Sequence, residues 1–306
     1  DRDADAADVA ANARKAFPDE AGFALFEAVY AGASGDNSRA EAIFSELDLD
    51  TPDRRIYEAR HRIRQGQHDR AEALLEQALK EAPHSIDAWS LRGIVWRLLD
   101  DPRADWLHDQ AGLVEFLPLS ARSGLLDKAV KKLRVLHEVA STQIGQSVRH
   151  GTQTRGALFW RADPVLAELH ETIRKTLQRY RAALPAADET HPLLSRLDAP
   201  WQITGSWSVR MTGSGGHHKP HIHPEGIVSS ALYLVVPDEV RAGGQKGWLE
   251  LGRPPADLGL ELPPLRSMEP REGHLALFPS TLYHNTSPFD AAERMTVAFD
   301  VATEQR

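Results

Sequence analysis

Gly215-Gly216-His217-His218-Lys219-Pro220-His221-Ile222-His223-Pro224-Glu225-Gly226 runs directly into 227–236, an apolar stretch closed by Pro237-Asp238. Four of the chain's 14 histidines stand together in this segment. Side chains two apart on a strand point to one face, so His221 and His223 can converge on one ion. His223 and Glu225 share that spacing. A solvated polar loop is the plainer reading of the same residues. The internal position excludes an expression tag.

Working outward, short apolar runs at 207–211, 227–236, 247–251, 274–278 and 295–301 alternate with Gly, Pro, Asp and Asn. Runs of this length and spacing predict an antiparallel sandwich or jelly roll. The chain changes character near residue 200. Residues 201–306 hold 11 of the 21 glycines and 10 of the 19 prolines, and the longer first part reads as helical. Residues 125–139 are amphipathic, and 164–184 carry Leu166, Leu169, Ile173, Leu177 and Tyr180 at helical spacing. Between those helices, the polar stretch 146–153 has no period and reads as a surface loop. A loop lining a neighbouring site is the alternative.

In the N-terminal part, Pro18, Pro52 and Pro83 are spaced 34 and 31 residues apart. Small and apolar residues recur before them: Ala6, Ala10 and Ala13; Gly35, Ala40 and Phe44; Gly66, Ala71, Leu75, Ala78 and Leu79. Trp89, Gly93 and Trp96 continue the pattern. Residues 1–100 thus resemble the tetratricopeptide repeat, with proline ending the second helix of each pair. Such repeats either support a neighbouring domain or present a concave surface to a peptide or protein.

The 306 residues are 42% hydrophobic and 26% charged, and the length suggests two domains. Absence of cysteine excludes disulfides, thiolate zinc sites, iron–sulfur clusters and thiol nucleophiles. A net charge of −8 without a basic block argues against a nucleic-acid surface, and no run is long and apolar enough for a membrane helix. Asp1-Arg2-Asp3-Ala4-Asp5 has no apolar signal core, so a cytoplasmic location is expected.

Two further residues complete a pattern. His284 follows the run Gly273-His274-Leu275-Ala276-Leu277-Phe278-Pro279 and a turn. Arg294 opens Arg294-Met295-Thr296-Val297-Ala298-Phe299-Asp300, where a charge is costly unless paired or bound to a carboxylate ligand. With Gly205-Ser206-Trp207-Ser208-Val209-Arg210, the His218–His223 segment, Ser229-Ser230-Ala231-Leu232-Tyr233 and Leu277-Phe278-Pro279-Ser280, these residues resemble the 2-oxoglutarate/Fe(II) oxygenases. The likeness is greatest to the aspartyl/asparaginyl β-hydroxylase type, and within it to oxygenases fused to tetratricopeptide repeats.

The resemblance implies an α+β chain. An all-α tetratricopeptide-like repeat domain spans 1–118, and 119–306 form a double-stranded β-helix (jelly-roll, cupin-like) domain with supporting helices at 119–200. It implies Fe(II), 2-oxoglutarate and O2, with release of succinate and CO2 on hydroxylation of a peptide or protein side chain (Asp/Asn type) or a small molecule. His221 and His284 match iron ligands. Arg294 matches the arginine that holds the far carboxylate of 2-oxoglutarate, with Ser208 as its hydroxyl helper. The common triad has a carboxylate two residues after the first histidine, where this chain has His223. Either His221, His223 and His284 ligate, or His223, Glu225 and His284 do, or water completes a two-histidine site. His218, Ser230, Tyr233 and Gln153 are candidates for touching substrate or backing the ligands. Two other classes fit parts of the pattern: a cupin-type metalloenzyme that does not use 2-oxoglutarate, and a repeat scaffold with a relic barrel.

Overall fold

The computed structural model describes residues 2–140, 147–212, 215–242, 244–290 and 293–303. The chain forms two compact units, Asp1–Ala104 with Pro254–Leu262, and Asp105–Arg253 with Pro263–Arg306. The division at 104/105 precedes the sequence boundary at 118. β1 (Glu115–Pro118) pairs with a strand of the second unit, so backbone hydrogen bonding assigns 105–118 there.

The first unit holds α1 (Asp3–Ala16), α2 (Ala21–Ser34), α3 (Asn37–Glu46), α4 (Pro52–Arg64), α5 (His68–Glu81) and α6 (Ile86–Leu98). Local chemistry sets the ends. Asp36, Thr51 and Ser85 accept from Arg39, Arg54 and Ala88 backbone N–H groups at the starts of α3, α4 and α6. Gly35 after α2 and Gly66 after α4 take φ of +93° and +69°, a turn that suits glycine and recurs 31 residues apart. Pro18 and Pro83 follow α1 and α5, but Pro52 opens α4. Proline suits a first helical turn because its missing N–H would have no partner there. Ala28, Ala31 and Ala40 are fully buried around Phe44, so small residues do bring these helices close.

Charge is also buried in this unit. Arg62, with no exposed surface, donates to Glu58 Oε1 at 2.7 and 3.0 Å and to Glu41. The segment Pro254–Leu262, although it lies between strands in sequence, belongs here. Its Asp257 accepts from Arg60 at 2.6 and 2.9 Å and from Arg64 at 2.7 Å.

In the second unit, α7 (Arg103–His108) and β1 precede α8 (Leu125–Glu138), β2 (Val148–Arg149), β3 (Gly151–Gln153) and α9 (Pro164–Ala183). β4 (Trp201–Met211), β5 (Gly216–His221), β6 (Val228–Val235), α10 (Asp238–Arg241), β7 (Leu249–Leu251), β8 (Arg266–Met268), β9 (His274–Pro279), β10 (His284–Phe289) and β11 (Arg294–Thr303) follow. They form two antiparallel sheets, ordered β1-β9-β6-β11-β4-β3 and β2-β5-β10-β7-β8.

The larger sheet is covered on both faces. Leu232, Leu275, Leu277, Met295, Val297 and Phe299 pack with Ala129, Leu133, Leu169 and Ile173 of α8 and α9. On the other face, Val209, Met211, Tyr233 and Phe278 meet Val148, Leu249, Leu251 and Phe289 of the smaller sheet. That double burial explains why β11 reads apolar on both faces. The stretch expected to be a surface loop is a correction. Residues 148–149 and 151–153 are short strands that pair with β5 and β4, while Gln146 lies outside the described residues. Polar segments this short show no period, and their pairing comes from partners distant in sequence.

Candidate metal centre

β5 and β10 lie antiparallel with His221 directly opposite His284, which brings two imidazoles across one strand pair. Their ring centroids are 4.2 Å apart. His223 falls two residues beyond the end of β5 rather than on the strand, and its ring stands 5.1 Å from His221 and 4.9 Å from His284. One nitrogen from each lies within 4.8 Å of the other two. Glu225 is exposed on the turn and does not join this group.

The three rings share one tautomer. His221 Nδ1 donates to Lys219 O at 2.8 Å, and His284 Nδ1 to Leu282 O at 3.2 Å. His223 Nδ1 bonds the carboxylate of Asp300. Nδ1 bonding of this kind leaves Nε2 as the lone-pair nitrogen, and His221 Nε2 accepts from Ser147 Oγ at 3.3 Å. Burial, followed by the neighbouring His223, lowers the pKa of His221 to about 4. Burial also holds His284 well below the ordinary histidine value. Both imidazoles are therefore neutral near pH 7, the form that binds a cation.

These residues line a cavity of about 400 Å³, together with Arg294, Thr296, Trp207, Gln153, Ser147 and His218. The volume suits a small ligand. Arg294 is 3% exposed and, among the described residues, forms no ion pair. Its Nε has no hydrogen-bond partner, and neither does the hydroxyl of the fully enclosed Tyr233, whose ring lies 5.3 Å from the guanidinium. Phe289 flanks the guanidinium at 5.7 Å. Burial lowers the Arg294 pKa, yet guanidinium stays charged, so this end of the cavity is a cation awaiting an anion.

The other predicted residues divide. His218 lines the cavity, stacks on His221 at 5.6 Å and bonds Ser147 Oγ through Nδ1 at 3.0 Å. Gln153 also lines it. Ser230 borders it, but its hydroxyl is occupied by the backbone of Phe299, donating to O at 2.8 Å and accepting from N at 2.9 Å. Ser208 is a correction. It stands opposite Val297, on the helix-facing side of β4, where its hydroxyl donates to Thr296 O at 2.9 Å and meets His137 Nε2 at 3.0 Å. Trp207 and Val209 face the cavity instead, because side chains alternate along the strand. Asp300, Trp207 and Ser147 received no role from sequence. Asp300 carried a signal: it lies an even number of residues after Arg294 on one strand.

Residues 205–300 match the family described as "Putative 2OG-Fe(II) oxygenase". That matched segment, about a third of the chain, carries the likeness to the 2-oxoglutarate- and Fe(II)-dependent oxygenases. The description of that family names 2-oxoglutarate and Fe(II). Among solved structures, the chain is similar to a prolyl hydroxylase from Trichoplax adhaerens in complex with a hypoxia inducible factor peptide fragment. That match has 16% identity and a TM-score of 0.47, covering 68% of this chain and 93% of that one. It is also similar to a Pseudomonas putida prolyl-4-hydroxylase (15%, 0.42, 68% and 98%). HygX from Streptomyces hygroscopicus with nickel and 2-oxoglutarate bound is a third (12%, 0.42, 67% and 87%). No curated protein matches the chain. No helix among the described residues is long and apolar enough to cross a membrane.

The residues of the site fit the oxygenase groups. Three converging imidazoles, each with Nδ1 hydrogen-bonded, suit Fe(II), which accepts histidine nitrogen. A buried arginine with no acid suits the far carboxylate of an oxodiacid.

Proposed function

We propose that His221, His223 and His284 hold Fe(II), that Arg294 binds the far carboxylate of 2-oxoglutarate, and that the protein hydroxylates an unactivated C–H of a peptide or protein side chain. The observation that carries this reading is the buried, acid-free Arg294 in the same cavity as three converging histidines. A cupin-type metalloenzyme has no use for such a cation. A relic barrel would pay for it without return, since a buried unpaired charge is expensive.

Iron, 2-oxoglutarate and O2 together supply the oxidising power, with succinate and CO2 as by-products. The chain does the positioning. Arg294 fixes the orientation of the oxodiacid, assisted by the Tyr233 hydroxyl, which stands beside it without a partner. Phe278, 5.0 Å from the His284 ring, and Phe289, 5.7 Å from the Arg294 guanidinium, back these two groups with apolar surface. Trp207 packs at 5.2 Å against His223 and restrains that ring. His218, Ser147 and Gln153 supply polar contacts for substrate.

A peptide substrate of the aspartyl/asparaginyl hydroxylase type is supported by the helical unit, whose turns at Gly35 and Gly66 recur as in tetratricopeptide repeats. Succinate release from 2-oxoglutarate with Fe(II) and ascorbate, with calorimetric binding of 2-oxoglutarate to the metal-loaded protein, tests the reading. Turnover without added substrate and a single binding site are expected. Absence of both turnover and binding overturns it.

A further inference from the structure

A site of three neutral histidines leaves Fe(II) one charge more positive than two histidines and a carboxylate would. The structure assigns the missing charge to Asp300, which stands behind His223 and acts on the metal through that imidazole. This inference rests on the ligand set of the proposed function and adds a positioning residue to it.

Three observations carry it. First, the ligand candidates differ in what holds them. His221 and His284 give Nδ1–H to neutral backbone carbonyls, whereas His223 Nδ1 meets an Asp300 carboxylate oxygen. A carboxylate behind a ligating imidazole fixes its tautomer and makes it a stronger donor. Second, no Lys or Arg among the described residues pairs with Asp300, so its charge is not spent elsewhere. Third, the space around Asp300 is kept clear. Gly205 lies directly opposite it across β4 and β11. A Cβ on Gly226 would stand 3.3 Å from Asp300 Cβ and 3.2 Å from Ser280 Oγ, closer than most side chains tolerate. Gly226 is thus a close-approach position that lets Asp300 reach His223.

The test separates charge from hydrogen bonding. Asp300→Asn keeps an oxygen to accept from His223 Nδ1 and removes the charge; Asp300→Ala removes both. Mn(II) binding by calorimetry should weaken about 10–100-fold in Asp300→Asn. The Fe(III)/Fe(II) potential should rise, because the more positive site disfavours Fe(III). His223→Asp alone should keep Mn(II) binding, since it sets a carboxylate directly on the metal beside two histidines. The double variant His223→Asp/Asp300→Asn should recover the binding lost in Asp300→Asn by moving the one carboxylate into contact with the metal. Wild-type affinity and potential in Asp300→Asn would overturn the inference while leaving the metal centre standing, as would no recovery in the double variant. If wild-type protein binds no Mn(II) or Fe(II), the ligand reading itself falls, and this inference with it.

Discussion

Two buried arginines show how the two units use charge. Arg62 in the helical unit has no exposed surface and is answered by Glu58 and Glu41. Arg294 in the strand-rich unit is 3% exposed and, among the described residues, pairs with no acid, while the rings of Tyr233 and Phe289 flank it. The first arrangement is complete in the folded chain, so it holds structure. The second, under the proposed function, is completed by the anion that it binds. A buried charge is costly in both places, and the location of its partner distinguishes the roles.

The comparison breaks most easily at Arg62. Arg62→Ala takes one of three arginines from Glu58, leaving Arg54 and Arg70, and should cost about 2–4 kcal/mol of stability through lost charged hydrogen bonds and the cavity left behind, read as a lower denaturant midpoint. Arg294→Met should behave oppositely in the fold. Stability should hold or rise, because an unpaired charge is removed. 2-Oxoglutarate binding should weaken by about 2–4 kcal/mol, seen by calorimetry. A large fall in stability for Arg294→Met, or an unchanged affinity, would erase the contrast.

A smaller effect concerns His137, which is 4% exposed on α8 behind the larger sheet and is held by Thr152 at 2.9 Å and Ser208 at 3.0 Å. Burial lowers its pKa to about 4. The unfolded chain therefore binds this proton more readily than the folded one. Stability from His137 is full above pH ~6.5 and falls as pH drops toward 4, by about 2 kcal/mol at pH 5. His137→Gln should flatten that part of a stability–pH curve measured by denaturant unfolding. An unchanged slope would show that His137 does not contribute. His191, also buried with a pKa lowered to about 4, keeps its own share in the variant.

Much of the site was readable because its residues are chemically unusual where they stand. Clustered histidines in a turn-rich segment and an arginine in an apolar strand conflict with local expectation, and such conflicts gather at functional sites. Ser208 shows the limit. Its distance from Arg294 in sequence says nothing about strand register, and a shift of one residue sends every side chain to the opposite face. Gln153 and Ser147 sit on or beside strands too short and polar to show a period. Pro254–Leu262 reads as part of the strand region, and only its ion pairs with Arg60 and Arg64 show where it belongs.

Local composition by itself determined the helical and strand-rich halves, the absence of thiolate chemistry, and the set of histidines and the arginine able to serve a metal and an oxodiacid. Those follow from side-chain chemistry and short-range periodicity. Tertiary structure alone decided that Glu225 stays out while His223 turns in, that Ser208 serves the helix-facing side, and that Asp300 stands behind His223. Each depends on pairing between residues far apart in the chain, where register and approach distance select among choices that sequence leaves equal.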